Sequence, residues 1–220
     1  MTRPDQAGVL FDIDGTLLDS TYHHALAWLR AFRAHGHHEV SAAEVHRAIG
    51  LGDDQLVPHV LGHDDEALAD AHSEEYRELR EEVQTLPQTE QLLARCAEAG
   101  LRVVLASSGK KADLDWMLPR IGGADHLAGC VTSEDVDATK PAPDLLQTAA
   151  DRYGLNPNNA VTVGDSVWDG KAAKEAGIRF VGVLSGGASE AELTDAGAVE
   201  VYRDVADLLE HFDSSLLATL

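Results

Sequence analysis

Short apolar runs separated by helical patterns organise most of the chain. Residues 8–13, 101–106, 129–132, 160–164 and 178–184 read as buried strands: each is brief, rich in Val, Leu and Ile, and bounded by Gly or polar turn residues. Between them, residues 89–99, 111–121, 144–153 and 167–176 place apolar side chains at helical spacing. Gly100, Gly154 and Gly177 stand where left-handed caps would end three of those helices. Strand and helix alternating at this length predict an α/β fold, a Rossmann-like parallel sheet flanked by helices.

Residues 20–86 break that rhythm. Only helical patterns occur there, at about 22–35, 42–49, 55–61 and 66–83. The expectation is a small all-α domain (20–86) inserted after the first strand of a core formed by 1–19 and 87–220, with hinges at 19–21 and 85–88. The insert carries thirteen Asp and Glu, five Arg and no Lys, and nine of the chain's eleven His. Their spacing suggests no metal site, so they read as surface histidines on polar helices.

Composition narrows the function. Of 220 residues, 44% are hydrophobic and 25% charged, the balance of an ordinary globular protein. A formal charge of −21 argues against nucleic-acid partners, whose phosphates such a surface repels. It also means that an anionic ligand needs local positive charge. Cys96 and Cys130 are too few for a disulfide framework. No run approaches the ~20 apolar residues of a membrane span, and the first apolar run is too brief for a secretion signal, so a cytoplasmic protein without membrane partners is expected. Leu216, Leu217 and Leu220 read as the end of an amphipathic helix. Monomer and homodimer are both compatible with the sequence.

Four motifs follow the predicted strands. In Asp12-Ile13-Asp14-Gly15-Thr16, alternation puts Asp12 and Asp14 on one face, ~6.6 Å apart along the chain. Val9, Phe11 and Ile13 take the opposite, core-facing phase. Two carboxylates so close call for a cation or a retained proton; alone, Asp-Gly is also a common turn. Ser107-Ser108-Gly109, ahead of a helix, has the small polar residues of a phosphate cradle, to which Lys110 or Lys111 adds charge. Lys140 precedes Pro141-Ala142-Pro143, a stiff connection that can hold its ammonium against a carboxylate and a phosphate oxygen. In Gly164-Asp165-Ser166-Val167-Trp168-Asp169, the two acids share one side of a helix start, an oxygen-rich setting suited to Mg2+. Each has an ordinary structural reading alone. Together they converge on one sheet edge, where open α/β sheets bind ligands.

As a set, these motifs closely resemble those of the haloacid dehalogenase superfamily, over nearly the whole chain, with 20–86 similar to its helical cap. The resemblance implies a phosphatase of a small phosphate ester, of phosphoglycolate or sugar-phosphate class, akin to phosphoglycolate phosphatase-like and beta-phosphoglucomutase-like members. It implies Asp12 as nucleophile forming an aspartyl-phosphate, and Asp14 as acid and base. Ser107 and the Ser108 N–H would hold phosphoryl oxygens, and Lys140 would neutralise them. Mg2+ would bind the Asp12 carboxylate, the Asp14 carbonyl and Asp165, with Asp169 binding directly or through water.

Departures from the family prune this. Asp14 argues against a dehalogenase, because the founding dehalogenases lack that second acid. A cap without lysine argues against the Schiff-base phosphonate hydrolase. A phosphosugar mutase, the alternative, uses cap basic residues for a second phosphate. Here the loop reads Gly50-Leu51-Gly52-Asp53-Asp54, with Arg47 nearby to compensate. This loop, Arg47 and the stretch 22–28 from Tyr22 to Trp28 are the candidates for touching the leaving group. A non-enzymatic phosphate-binding module on this fold would be signalled by a lost acid, and none is lost.

Overall fold

The computed structural model describes residues 6–220. Six strands form one parallel sheet: β1 (Gln6–Phe11), β4 (Arg102–Ala106), β5 (Leu127–Val131), β6 (Leu155–Gly164), β7 (Arg179–Val183) and β8 (Ala198–Tyr202), in spatial order β5-β4-β1-β6-β7-β8. A separate antiparallel pair, β2 (Leu18–Asp19) with β3 (Gln84–Thr85), ties together the two ends of the insert. The strand order reverses beside β1, which pairs with β4 on one side and β6 on the other. That reversal opens the crevice in which doubly wound sheets place their ligands.

Strand alternation sorts the core into two layers. Val9, Phe11, Val103, Leu105, Val161 and Val163 face one side, against α5 (Thr89–Glu98), α6 (Leu114–Ile121) and α10 (Val205–Glu210). Leu10, Val104 and Ala106 face the other, against α7 (Asp144–Tyr153), α8 (Val167–Ala176) and α9 (Glu190–Asp195). Both faces are thus covered, which is why the strands read as continuous apolar runs.

The insert comprises α1 (Thr21–Ala34), α2 (Ala42–Ala48), α3 (Asp53–Leu61) and α4 (Glu66–Leu79) around a third apolar cluster built on Trp28, Phe32, Val45, Leu56 and Leu68. Ser41 starts α2 with a reciprocal capping box to Glu44, and Gly62 ends α3 in the left-handed conformation.

The structure departs from expectation in four places. β3 lies within 20–86, where only helices were expected, because two residues there pair with β2 to close the insert. β8, α9 and α10 were not expected, because Ala198–Tyr202 is a half-exposed edge strand interrupted by Glu200. β6 begins at Leu155, five residues early, because the polar stretch ahead of Ala160 still runs beside the start of β1, where Gln6 pairs with Leu155. The last residues form a 3-10 turn, Leu216–Thr219, and not the end of an amphipathic helix.

Candidate active site

β1 stops at Phe11, and Asp12 extends its ladder by one bond, donating its N–H to Val163 O at 3.0 Å. The carboxylate therefore stands at the sheet's carboxyl edge, 5% exposed. Lys140 reaches it from the connection after β5. Its Nζ lies 2.5 Å from Asp12 Oδ1 and 2.6 Å from Asp169 Oδ1, and the side chain is buried. A buried ammonium persists only when paired, and here two carboxylates hold it above its ordinary pKa against the effect of burial.

Asp169 has two duties. Its Oδ2 accepts from the Ser166 N–H (3.1 Å) and hydroxyl (2.6 Å), completing the capping box that begins α8, while its other oxygen meets Lys140. The ordinary capping reading of this motif is realised, and the second oxygen of the same carboxylate is left to pair with Lys140. Asp165 lies beside it, accepting from Thr16 Oγ1 at 2.9 Å. The backbone presses so closely there that a Cβ on Gly15 or Gly186 would collide with its carboxylate.

Asp12, Asp165 and Asp169 offer oxygens within 4.8 Å of one another, and all three are buried. Burial, opposed by Lys140 and reinforced by Asp169, pushes the Asp12 carboxyl up to about 7. Burial with Asp169 and Asp12 nearby pushes Asp165 well above the carboxylate range. Three buried carboxylates facing one ammonium are short of positive charge. An all-oxygen donor set with that deficit fits Mg2+.

Asp14 is held differently. Its Oδ1 accepts from Ser20 Oγ at 2.6 Å and from His24 Nε2 at 3.1 Å. Against burial, which works to raise it, His24 and Ser20 keep Asp14 below its ordinary value. His24 Nδ1 in turn lies 3.2 Å from His72 Nε2. His24 stacks on Tyr76 (centroids 3.8 Å apart) and His72 lies flat on Trp28 (4.1 Å). These contacts join α1 to α4 and hold His72 behind His24, the imidazole that meets Asp14.

A cavity of about 370 Å³ opens in front of Asp12, Asp14 and Lys140, between the core and the helical insert. Ser108, Gly109 and Lys110 form one wall. Ser107 is buried behind them, its hydroxyl accepting from the Gly109 N–H at 3.0 Å. Of the expected cap residues, Gly50, Leu51 and Asp53 line the cavity, as does Trp28. Tyr22, Arg47 and Gly52 are not brought to it. Tyr22 is 58% exposed and stacks on His46, Arg47 is exposed with its carbonyl accepting from Trp168, and Gly52 is the N-cap of α3.

His24, His72 and Tyr76 also line the cavity, so these two histidines are not the surface residues expected. A signal existed: His24 lies four residues before Trp28, and His72 four after Leu68 and four before Tyr76. Both therefore sit in the apolar stripes of their helices.

A family model described as haloacid dehalogenase-like hydrolase matches residues 9–183. The chain is 32% identical over 188 residues to a phosphoglycolate phosphatase of Neisseria gonorrhoeae, covering 81% of this chain and 80% of that protein. It is 31% identical to the phosphoglycolate phosphatase of Yersinia pseudotuberculosis, covering 81% of each. Among solved structures, a hydrolase from Pseudomonas syringae superposes with a TM-score of 0.89 at 32% identity, covering 95% of this chain and 99% of that one. A protein proposed to be a beta-phosphoglucomutase, from Bacteroides vulgatus, gives 0.84 at 25%, covering 99% and 91%. Among the described residues, no helix is long and apolar enough to cross a membrane.

Proposed function

Because the chain belongs to the haloacid dehalogenase-like hydrolases and is a phosphatase among them, we propose that it uses Mg2+ to hydrolyse a small phosphorylated metabolite, of phosphoglycolate or sugar-phosphate class, in the cytoplasm. The observation that carries this reading is the position of Asp12: buried, 2.5 Å from Lys140, and facing a cavity that also holds Asp14.

An Asp12 oxygen attacks phosphorus, the phosphorus–ester oxygen bond breaks, and the leaving oxygen takes a proton from Asp14. The His24 imidazole, held above its ordinary pKa by Asp14 against burial, is the store of that proton. Water then attacks the phosphorus of the aspartyl-phosphate while Asp14 accepts its proton, and Asp12 leaves as a carboxylate. His24 keeps Asp14 ionised in the resting protein, the form this second step needs. Lys140 neutralises charge on Asp12 and on the transferring group. Ser107, buried beneath the cavity wall, and the Ser108 N–H are the proposed phosphoryl cradle. The carboxylates of Asp12, Asp165 and Asp169 and the Asp14 carbonyl would hold Mg2+, which when bound supplies charge neutralisation at the phosphoryl oxygens.

A cavity of about 370 Å³ suits a small ester better than a protein or a long nucleic acid. The mutase alternative needs a cation for a second phosphate. The loop puts Asp53 in the cavity beside Lys110, 3.7 Å away, and leaves Arg47 outside it, while Arg77 and Arg80 of the cap also line the cavity. The cavity's cations thus leave the mutase as the second reading, and the phosphatases to which the chain is 31–32% identical support hydrolysis. Incubation with a panel of phosphate esters and Mg2+ tests the reading: inorganic phosphate should appear, and with a bisphosphate primer present release should exceed isomerisation. Isomerisation in excess would make the protein a mutase, and no release from any ester would remove the reading.

A further inference from the structure

Trp168 belongs to the core by sequence and to the cap by packing. It is the second residue of α8, directly before Asp169, yet its ring is 8% exposed within the cap's apolar cluster beside Ala48, Ile49 and Leu51. Its indole N–H donates to the Arg47 carbonyl at 2.9 Å, satisfying an acceptor in the last turn of α2. His59 of α3 meets the ring edge-on at 5.1 Å, and Lys171 Nζ lies 4.1 Å above it.

The loop that Trp168 grips is the one that walls the cavity. Gly50 has φ +102° and passes so near the core that a Cβ would stand 2.5 Å from Ser166 Oγ and 3.2 Å from Trp168 Cδ1. The Gly50 carbonyl accepts from Ser108 Oγ at 3.4 Å on its other side. Ile49, Gly50, Leu51 and Asp53 all line the cavity, whereas Trp168 does not.

We propose that Trp168 is a positioning residue that fixes the 49–53 loop over the leaving-group end of the cavity and so sets substrate selection, without touching the reacting atoms. The proposal rests on the phosphatase reading for its effect on substrates, and on geometry alone for its effect on the loop.

Trp168→Phe keeps an aromatic ring and removes the N–H donor. Losing one buried hydrogen bond should lower kcat/KM about fivefold, mainly through KM, for the largest ester that the wild type cleaves. Acetyl phosphate, too small to reach the loop, should change by less than about twofold. Gly50→Ala should give the same selective loss, and the double variant should add little to either. Independently of activity, hydrogen exchange in peptides spanning 46–53 should quicken in Trp168→Phe, while peptides from α7 should not change. Equal losses on both substrates, or unchanged exchange at 46–53, would overturn the proposal. If the wild type cleaves no ester, the phosphatase reading fails and the exchange measurement alone decides whether Trp168 anchors the loop.

Discussion

His24 Nε2 stands 3.1 Å from Asp14 Oδ1, so a helix of the cap places an imidazole on the acid of the core's first motif. The carboxylate can only accept, which puts the shared hydrogen on Nε2 in the resting protein. The cap thus supplies the partner that does most to hold Asp14 below its ordinary pKa.

Replacing His24 removes the group that does most to hold Asp14 down. His24→Asn should lower kcat about tenfold, a fraction of what a general acid–base group contributes. Where breakdown of the aspartyl-phosphate limits turnover, the acid limb of its kcat profile should move to higher pH, because Asp14, the base of that second step, then takes up a proton more readily. A pH–rate profile measured on both proteins checks this; an unmoved acid limb would mean that His24 does not tune Asp14.

Asp165 gives the second expectation a definite sign. Its folded pKa lies above the ordinary 3.8, raised by burial and by Asp169 and Asp12. The folded metal-free protein therefore holds this proton more tightly than the unfolded chain. Its stability is intact below about 3.8 and declines as pH rises towards the folded value. Asp165→Asn should thus be the more stable protein at pH 7 without metal. Mg2+ at about a hundred times its Kd should stabilise the wild type by about 2.7 kcal/mol and the variant by much less. Urea titrations with EDTA and with Mg2+ measure both; a variant that gains as much from Mg2+ as the wild type would take Asp165 out of the metal site.

His72 makes the fold sensitive to acid. Burial first, and then His24, hold its imidazole well below 6.5. The unfolded chain therefore binds this proton before the folded one does, and stability falls as pH drops below about 6.5, by up to about 1.4 kcal/mol per pH unit. His24 acts in the opposite sense, its raised pKa contributing stability below 6.5 that is lost as pH rises through its folded value. His72→Phe keeps the stack on Trp28 and loses the bond to His24. It should be about 1 kcal/mol less stable than the wild type at pH 8, with the gap narrowing or reversing at pH 5. Unfolding curves at the two pH values decide it, and a constant gap would show that His72 does not carry the acid sensitivity.

Much of the core was legible along the chain because its strands are buried on both faces. Val9–Phe11 and Val103–Leu105 read as strands without reference to their neighbours, and each chemical motif follows such a run. The edge strand β8 escaped because Val199 is 57% exposed and Glu200 interrupts the apolar pattern, so burial wrote little into its sequence. The histidines escaped for another reason. Spacing shows that His24 shares a face with Trp28 and His72 with Tyr76. Only the packing of α1 on α4 joins the two faces, so that His72 meets His24 and His24 meets Asp14. The 50–54 loop was a candidate for touching the leaving group, and Gly50, Leu51 and Asp53 of it line the cavity, but that Trp168 of the core holds it depends on contacts across 121 residues of chain.

Asp12 is the proposed carrier of the phosphoryl group, and that group can be trapped on it. Acid quenching of the wild type during turnover of its best ester, with Mg2+ present, should trap a hydroxylamine-labile phosphate on the peptide containing Asp12, read by mass spectrometry. Asp12→Asn should form none and release no phosphate. A wild-type enzyme that hydrolyses the ester with no phosphate trapped on that peptide, or an Asp12→Asn variant that still turns over, would contradict the account.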